Sequence, residues 1–264
     1  MGRYLNILDF DGGCNSRTGG PGVPWDLSGM DVLATTIAEV PKGFGVCLLT
    51  GRGAQYGLAV AEALGLVKYH SDLWSGFEGG LVMAQHRSDW SCELTTCVIK
   101  EYLEAREDLD ITLTAAIKKR GGMKEKKEVC LTYNPPDDMS LDELLKLAQE
   151  FVENLHLTEL VNCTRTNSAV DIWPLGGSKK NNILELCHKN GVDPKNTLYI
   201  DDASSGIPVF EVVGYSGAPF TDSKDVWKAV QFRTPDLQSA PMETAWVIKS
   251  FVSSVSKGFA RQRV

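Results

Sequence analysis

Three short apolar runs, each stopping at a side chain that carries oxygen, constrain this chain more than any other feature. Tyr4–Leu8 runs into Asp9, Gly43–Leu49 into Thr50, and Thr197–Ile200 into Asp201. Such runs, bounded by turn residues, read as strands buried on both faces, the environment of a parallel sheet. Helix-period segments follow the first two, at Met30–Glu39 and Ala54–Leu64, so strand and helix alternate as in βαβ units. The pattern predicts an α/β fold, a three-layer Rossmann-like core around a central parallel sheet. Ligands of such sheets bind beyond the carboxyl ends of the strands, which is where the three oxygen-bearing residues fall.

The middle of the chain has a different texture. Helices are expected at Ser91–Arg106 and Ser140–Leu155 and strands at Glu128–Tyr133 and Ser168–Trp173, out of strict alternation. That order predicts an α+β domain inserted at 80–173, with the core formed by 1–79 and 174–264. The charged stretch Lys118–Glu128 (KKRGGMKEKKE) reads as a solvated turn. Helices at Asp222–Gln231 and Met242–Ser254 would finish the core, and the basic end Lys257–Val264 is expected to fray.

Composition narrows the function classes. With 27 basic and 34 acidic side chains the net charge is −7, which speaks against binding nucleic acid. No apolar run approaches the roughly 20 residues of a membrane-spanning helix. The start, MGRYLNILDFDGG, lacks the apolar stretch of a secretory leader, so a cytoplasmic location is expected. The seven cysteines are scattered with no CxxC pair, which predicts reduced thiols rather than disulfides or a zinc site.

Four clusters carry chemistry. In Leu5–Gly13 (LNILDFDGG), Asp9 at a strand end and Asp11 two residues on can project to one side, and two such anions call for a cation or a shared proton. In Leu48–Arg52 (LLTGR), the Thr50 hydroxyl suits a phosphate oxygen and Gly51 removes bulk at that approach. In Trp173–Ile183 (WPLGGSKKNNI), Lys179 enters the first turn of a helix, against the macrodipole, and a phosphate would explain it. In Leu198–Ser205 (LYIDDASS), Asp201 and Asp202 would complete an oxygen-rich site for Mg²⁺. Taken singly, each has a plainer reading as a turn, a calcium loop, a solvent-facing lysine pair or a helix cap. Four strand or helix ends together supply the groups that phosphoryl transfer uses.

In this order the four clusters resemble the motifs of the haloacid dehalogenase superfamily: Asp9-Phe10-Asp11-Gly12, Leu49-Thr50-Gly51-Arg52, Lys179, and Asp201-Asp202. The stretch Phe77–Val82 (FEGGLV) resembles the segment leading into the cap of the branch with a large α/β cap, which includes Cof-type, sucrose-, trehalose- and mannosylglycerate-phosphate phosphatases and phosphomannomutases. The resemblance implies an Mg²⁺-dependent phosphatase acting on a small, sugar-like phosphate. It implies Asp9 as nucleophile, Asp11 as proton donor and acceptor, Thr50, Gly51 and Lys179 around the phosphoryl group, and Mg²⁺ between Asp9, the Asp11 carbonyl and Asp202 with Asp201 in support. A phosphomutase, or a non-catalytic binding protein on the same fold, is the alternative.

Three departures stand out. Gly13 replaces a usual threonine, Lys180 a usual glycine, and Gly206 and Ile207 stand where another acid follows the Asp202 position. Specificity would lie in the insertion, where Arg165 and Asn167, in the polar segment Asn162–Asp171, are the candidate substrate contacts. The expected partner is a small phosphorylated molecule, for a monomer or homodimer.

Overall fold

The computed structural model describes residues 3–11, 13–15, 26–87, 89–166 and 168–258. Gly12, most of the glycine-rich loop up to Pro24, Asn167 and the last six residues of the basic end lie outside that set. Two compact units divide the chain, Met1–Glu93 with Lys179–Val264, and Leu94–Ser178.

The first unit begins with β1 (Tyr4–Leu8), α1 (Met30–Ala38), β2 (Phe44–Leu48), α2 (Ala54–Ala63), α3 (Leu66–Tyr69), β3 (Trp74–Phe77), β4 (Val82–Gln85) and β5 (Cys92–Leu94). The second unit holds α4 (Lys100–Lys118), β6 (Met123–Lys124), β7 (Leu131–Asn134), α5 (Leu141–Asn154), β8 (Val161–Arg165) and β9 (Val170–Pro174). The chain then returns to the first through α6 (Lys179–Lys189), β10 (Thr197–Ile200), α7 (Ile207–Phe210), β11 (Tyr215–Ala218), α8 (Lys224–Ala229), β12 (Phe232–Arg233) and α9 (Ala240–Ser256).

The predicted parallel sheet is present, in the order β12-β11-β10-β1-β2, with every neighbouring pair parallel. Strand alternation sorts its side chains into two layers. Leu5 and Ile7 of β1 pack in one cluster with Ile183, Leu186 and Cys187 of α6, Val209 of α7 and Val226 of α8. Tyr4, on the opposite pleat, stacks on Phe44 with ring centroids 5.1 Å apart, and Phe251 of α9 lies across both at about 6 Å. Phe251 also meets Tyr215 and Phe232, so one fully buried ring ties four strands to α9. Burial of a ring of this size stabilises by about 1.5–3 kcal/mol. From β1 the chain moves first to β2 on one side and later to β10 on the other, so the order in which strands are added reverses between β1 and β10. That switch point is where open α/β sheets leave a crevice.

The second unit has the sheet order β6-β7-β9-β8, antiparallel throughout. Its strands place Leu131, Tyr133, Val170 and Ile172 on one face, and the Tyr133 hydroxyl meets Thr114 and Asp110 of α4 there. Ser140 starts α5 with a capping box closed by Glu143, a device that contributes about 1 kcal/mol.

Boundaries of the insertion differ from those expected, because β4 pairs with β3 and draws residues beyond 80 into the first unit. The helix expected at Ser91–Arg106 forms instead at Lys100–Lys118, after the short strand β5. The residues ahead of it, Thr95 to Ile99, are all β-branched or Cys, poor helix formers, and they turn instead, with Val98 N donating to Thr95 O at 2.9 Å. The helix runs on until Gly121 takes φ +87° and the amides of Gly121 and Gly122 bond back to Lys118 and Ile117. Among the described residues no helix is long and apolar enough to cross a membrane.

Candidate active site

Asp9 leaves the carboxyl end of the central strand with its amide donating to Ile200 O at 2.9 Å, which fixes it against β10. It is 6% exposed. The backbone then turns tightly, with the amides of Gly13, Cys14 and Asn15 all directed at Phe10 O at 3.3, 2.8 and 3.2 Å. The turn accounts for Gly13: a Cβ there would stand 2.3 Å from Asp9 O, so a threonine would force the loop to move. Thr244 of α9 closes the loop from behind, its hydroxyl donating to Gly13 O at 2.7 Å.

Asp11 is held by Arg52 through two bonds, Nε to Oδ2 at 2.7 Å and Nη2 to Oδ1 at 2.9 Å, and Asn15 Nδ2 adds a third at 3.3 Å. A bidentate guanidinium fixes a carboxyl plane as well as its position. The Asp11 side chain stays 45% exposed, open to a ligand.

At the end of β2, Thr50 is fully buried, and its hydroxyl accepts from the Arg52 amide at 3.1 Å. The loop is fastened to the turn at 78–80: Glu78 N donates to Arg52 O at 2.8 Å and Gly79 N to Thr50 O at 2.7 Å. Glu78 holds φ +50° while buried, a conformation that costs a non-glycine residue on the order of 1 kcal/mol and marks an over-determined turn. Asn182 of α6 donates to Gly79 O at 3.0 Å. No atom lies within 4 Å of where a Gly51 side chain would begin, so the backbone there is open to approach.

Lys179, at the start of α6, reaches across the switch point. Its Nζ donates to Asp9 Oδ1 at 3.1 Å and to Asp201 Oδ2 at 3.0 Å. Lys180 turns away to pair with Glu211 at 2.9 Å on the surface. Asp201 is fully buried and also accepts from the Tyr199 hydroxyl at 2.7 Å and the Ala203 amide at 2.8 Å. Asp202 is buried beside it, and its carbonyl accepts from Thr221 Oγ1 at 3.0 Å. Where the acid after Asp202 is missing, a Cβ on Gly206 would lie 2.7 Å from the Asp201 carboxyl group.

The electrostatics follow from crowding. Burial, opposed by Lys179 and reinforced by the Asp201 and Asp11 charges, pushes Asp9 up to about 7. Burial works against the Lys179 charge too, but Asp201 and Asp9 outweigh it and hold the ammonium well above its ordinary value. Asp9, Asp201 and Asp202 each offer an oxygen within 4.8 Å of the others. Ionised, three carboxylates and one ammonium carry −3 + 1 = −2. An all-oxygen donor set with that residual charge fits a hard divalent cation such as Mg²⁺.

The second unit departs from expectation at Arg165. Its side chain pairs with Asp142 of α5 at 2.8 Å, half exposed. Register puts Arg165 opposite Val170 and in line with Tyr133, on the helix-covered face of the sheet. Arg165 thus forms a surface ion pair with α5. Asn167 lies outside the described residues. Sequence reasoning missed the opposite face, where Lys127 Nζ donates to Thr132 Oγ1 at 2.7 Å and Thr132 donates to Asp171, with Lys127 and Asp171 paired at 3.5 Å. Lys127 was read as part of a solvated turn, yet its side chain is 7% exposed. Asn134 Oδ1 and Trp173 Nε1, also buried, have no hydrogen-bond partner. Period-two alternation in Leu131–Asn134 and Val170–Pro174 was the available signal.

No protein-family profile matches this chain, and no curated protein matches its sequence. Solved structures do match its fold. A haloacid dehalogenase-like hydrolase from Bacteroides thetaiotaomicron aligns over 94% of this chain and 99% of its own, with a TM-score of 0.67 and 14% identity. The sucrose-phosphatase of Synechocystis, in complex with sucrose and phosphate, aligns over 95% and 98%, with a TM-score of 0.64 and 15% identity. The trehalose-6-phosphate phosphatase of Aspergillus fumigatus aligns over 96% and 93%, at 0.58 and 16%.

Proposed function

We propose that this chain, which shares the haloacid dehalogenase-like hydrolase fold, is a phosphatase that cleaves a phosphate monoester of a small polyhydroxyl compound through an aspartyl-phosphate. The observation that carries the reading is the Lys179 ammonium bridging Asp9 and Asp201 at the switch point. It occupies Asp9 Oδ1 and leaves Oδ2 to attack phosphorus. As the Asp9–phosphorus bond forms, the bond to the leaving oxygen breaks, and Asp11 protonates that oxygen. In the second half Asp11 takes a proton from water, the water oxygen bonds to phosphorus, and Asp9 is released with inorganic phosphate. Arg52 holds Asp11 in line for both transfers. Thr50, the open backbone at Gly51 and Lys179 receive the phosphoryl oxygens, where preorganised donors lower the barrier.

Asp9, Asp202 and the Asp11 carbonyl would hold Mg²⁺. Bound there, the cation supplies the charge neutralisation that lets an anionic carboxylate meet an anionic ester. Selectivity among leaving groups is the role proposed for the second unit, where Asp171, Thr132 and Lys127 share the sheet face opposite Tyr133 with the unpartnered Asn134 Oδ1 and Trp173 Nε1, all of them groups able to bond hydroxyls. Known relatives in fold act on disaccharide phosphates, as their names state. The test is phosphate release from p-nitrophenyl phosphate and a panel of sugar phosphates, with and without Mg²⁺. Turnover that requires Mg²⁺ and vanishes in Asp9→Asn supports the reading; no release from any compound by the unmodified chain overturns it.

A further inference from the structure

The first turn of α9 buries a carboxylate that the proposed reaction does not use. Glu243 is 3% exposed; its Oε2 accepts from Phe220 N and its Oε1 from Leu237 N, both at 2.8 Å. A helix start favours negative charge, so the anion is at home there. Phe220 follows β11, and its neighbour Thr221 donates through its hydroxyl to Asp202 O at 3.0 Å. A chain of contacts therefore runs from Glu243 through Phe220 and Thr221 to the backbone that bears the Asp202 carboxylate. The next residue of α9, Thr244, donates to Gly13 O at 2.7 Å, behind the loop that bears Asp9 and Asp11. Two consecutive residues of one helix thus reach both loops that carry the candidate cation ligands. That helix turn is itself held: Ser239 Oγ donates to Ser28 O at the entry to α1, and a Cβ on Gly29 would stand 2.5 Å from Met242 Cγ.

We propose that Glu243 is a positioning residue for the divalent cation, setting the place of Asp202 through Phe220 and Thr221 while Thr244 holds the Asp9 loop. Mg²⁺ tolerates little departure from its ligand geometry, so the spacing of the two loops decides how well it binds. Glu243 acts at one remove, as groups behind a metal ligand do. Its role rests on the phosphatase reading only in placing Mg²⁺ at Asp9 and Asp202.

The test is calorimetric titration of Mg²⁺ alone into the full chain and its variants, each checked for folding by circular dichroism. Glu243→Gln keeps the side-chain volume but offers one acceptor oxygen, so one of the two amides meets an NH₂ group instead. It should bind Mg²⁺ about tenfold more weakly, the low end of what loss of a group behind a metal ligand produces. Thr221→Val removes the last link and should lose about as much. Because the two act in series, Glu243→Gln/Thr221→Val should bind about as weakly as either alone, not about 100-fold more weakly than the parent. Ser140→Ala, which uncaps α5 in the second unit, should lower Tm and keep Mg²⁺ affinity within about twofold. No Mg²⁺ binding by the parent, affinity within about twofold in Glu243→Gln, a double variant showing the full product of two losses, or an equal loss in Ser140→Ala overturns the proposal. Should Glu243→Gln fail to fold, Thr221→Val decides: full affinity there leaves Glu243 no route to Asp202 and overturns the proposal, and a tenfold loss upholds it. A parent chain that binds Mg²⁺ in the expected pattern but releases no phosphate sinks the phosphatase reading alone.

Discussion

Beneath the Thr50 loop lies a buried relay whose response to pH can be worked out in advance. His86 has zero exposure; its Nδ1 donates to His70 O at 3.0 Å and its Nε2 lies 2.7 Å from Ser75 Oγ. Ser75 Oγ in turn accepts from Leu48 N at 2.9 Å on β2, two residues before Thr50. A carbonyl can only accept, so the ring proton belongs on Nδ1 and Nε2 receives the Ser75 hydroxyl. Protonating Nε2 would set its N–H against the Ser75 hydroxyl proton in a fully buried site. Burial is accordingly the main force that lowers His86 from 6.5 to about 4. Because the folded value lies below the unfolded one, the unfolded chain binds the extra proton first. Stability is complete above pH 6.5 and is lost as pH falls toward 4, with a slope approaching 1.4 kcal/mol per pH unit. Between pH 7.5 and 4.5 the loss should be about 2.5 kcal/mol, and His70, also lowered by burial, adds in the same direction. The assay is urea unfolding of the parent chain and His86→Gln across that range. Carboxylates titrate in both, so the difference between them isolates the imidazole. The variant should be less stable at pH 7.5, and its deficit should shrink by about 2.5 kcal/mol at pH 4.5. A deficit that stays constant with pH would refute the buried neutral relay.

Other predictions follow from single contacts. Arg52→Ala removes two of the three hydrogen bonds that hold Asp11, leaving only Asn15, and should lower kcat about 100-fold while leaving Mg²⁺ affinity unchanged by calorimetry. Thr244→Val, nearly isosteric, leaves the buried Gly13 carbonyl without its donor and should cost about 1–2 kcal/mol in urea unfolding. Gly13→Ala places a carbon against Asp9 O and should lower stability by about 1–3 kcal/mol, with activity falling alongside. Arg165→Ala breaks an exposed pair with Asp142, so KM on the best substrate should stay within about twofold and stability within about 1 kcal/mol.

How far the sequence was legible depends on where each residue's partner lies. The apolar runs into Asp9, Thr50 and Asp201 were readable because burial on both faces leaves a mark within a few consecutive residues. Lys179 was readable because a cation at a helix start is a local anomaly. The face that carries Arg165 was not legible, because a strand residue's face depends on register, and register is settled by the strand beside it. Lys127 misled because a charged run looks solvated until Thr132 and Asp171 are folded against it.

Local chemistry along the chain therefore determined the strand ends, their oxygen-bearing residues and the presence of an inserted α+β segment. Only tertiary structure decided which partner each of those residues keeps: Arg52 on Asp11, Thr244 on Gly13 O from 231 positions away, and Asp201 in the space that Gly206 leaves open. The physical reason is that strand propensity acts between near neighbours, whereas a buried charge takes its donors and its volume from whatever the fold brings beside it.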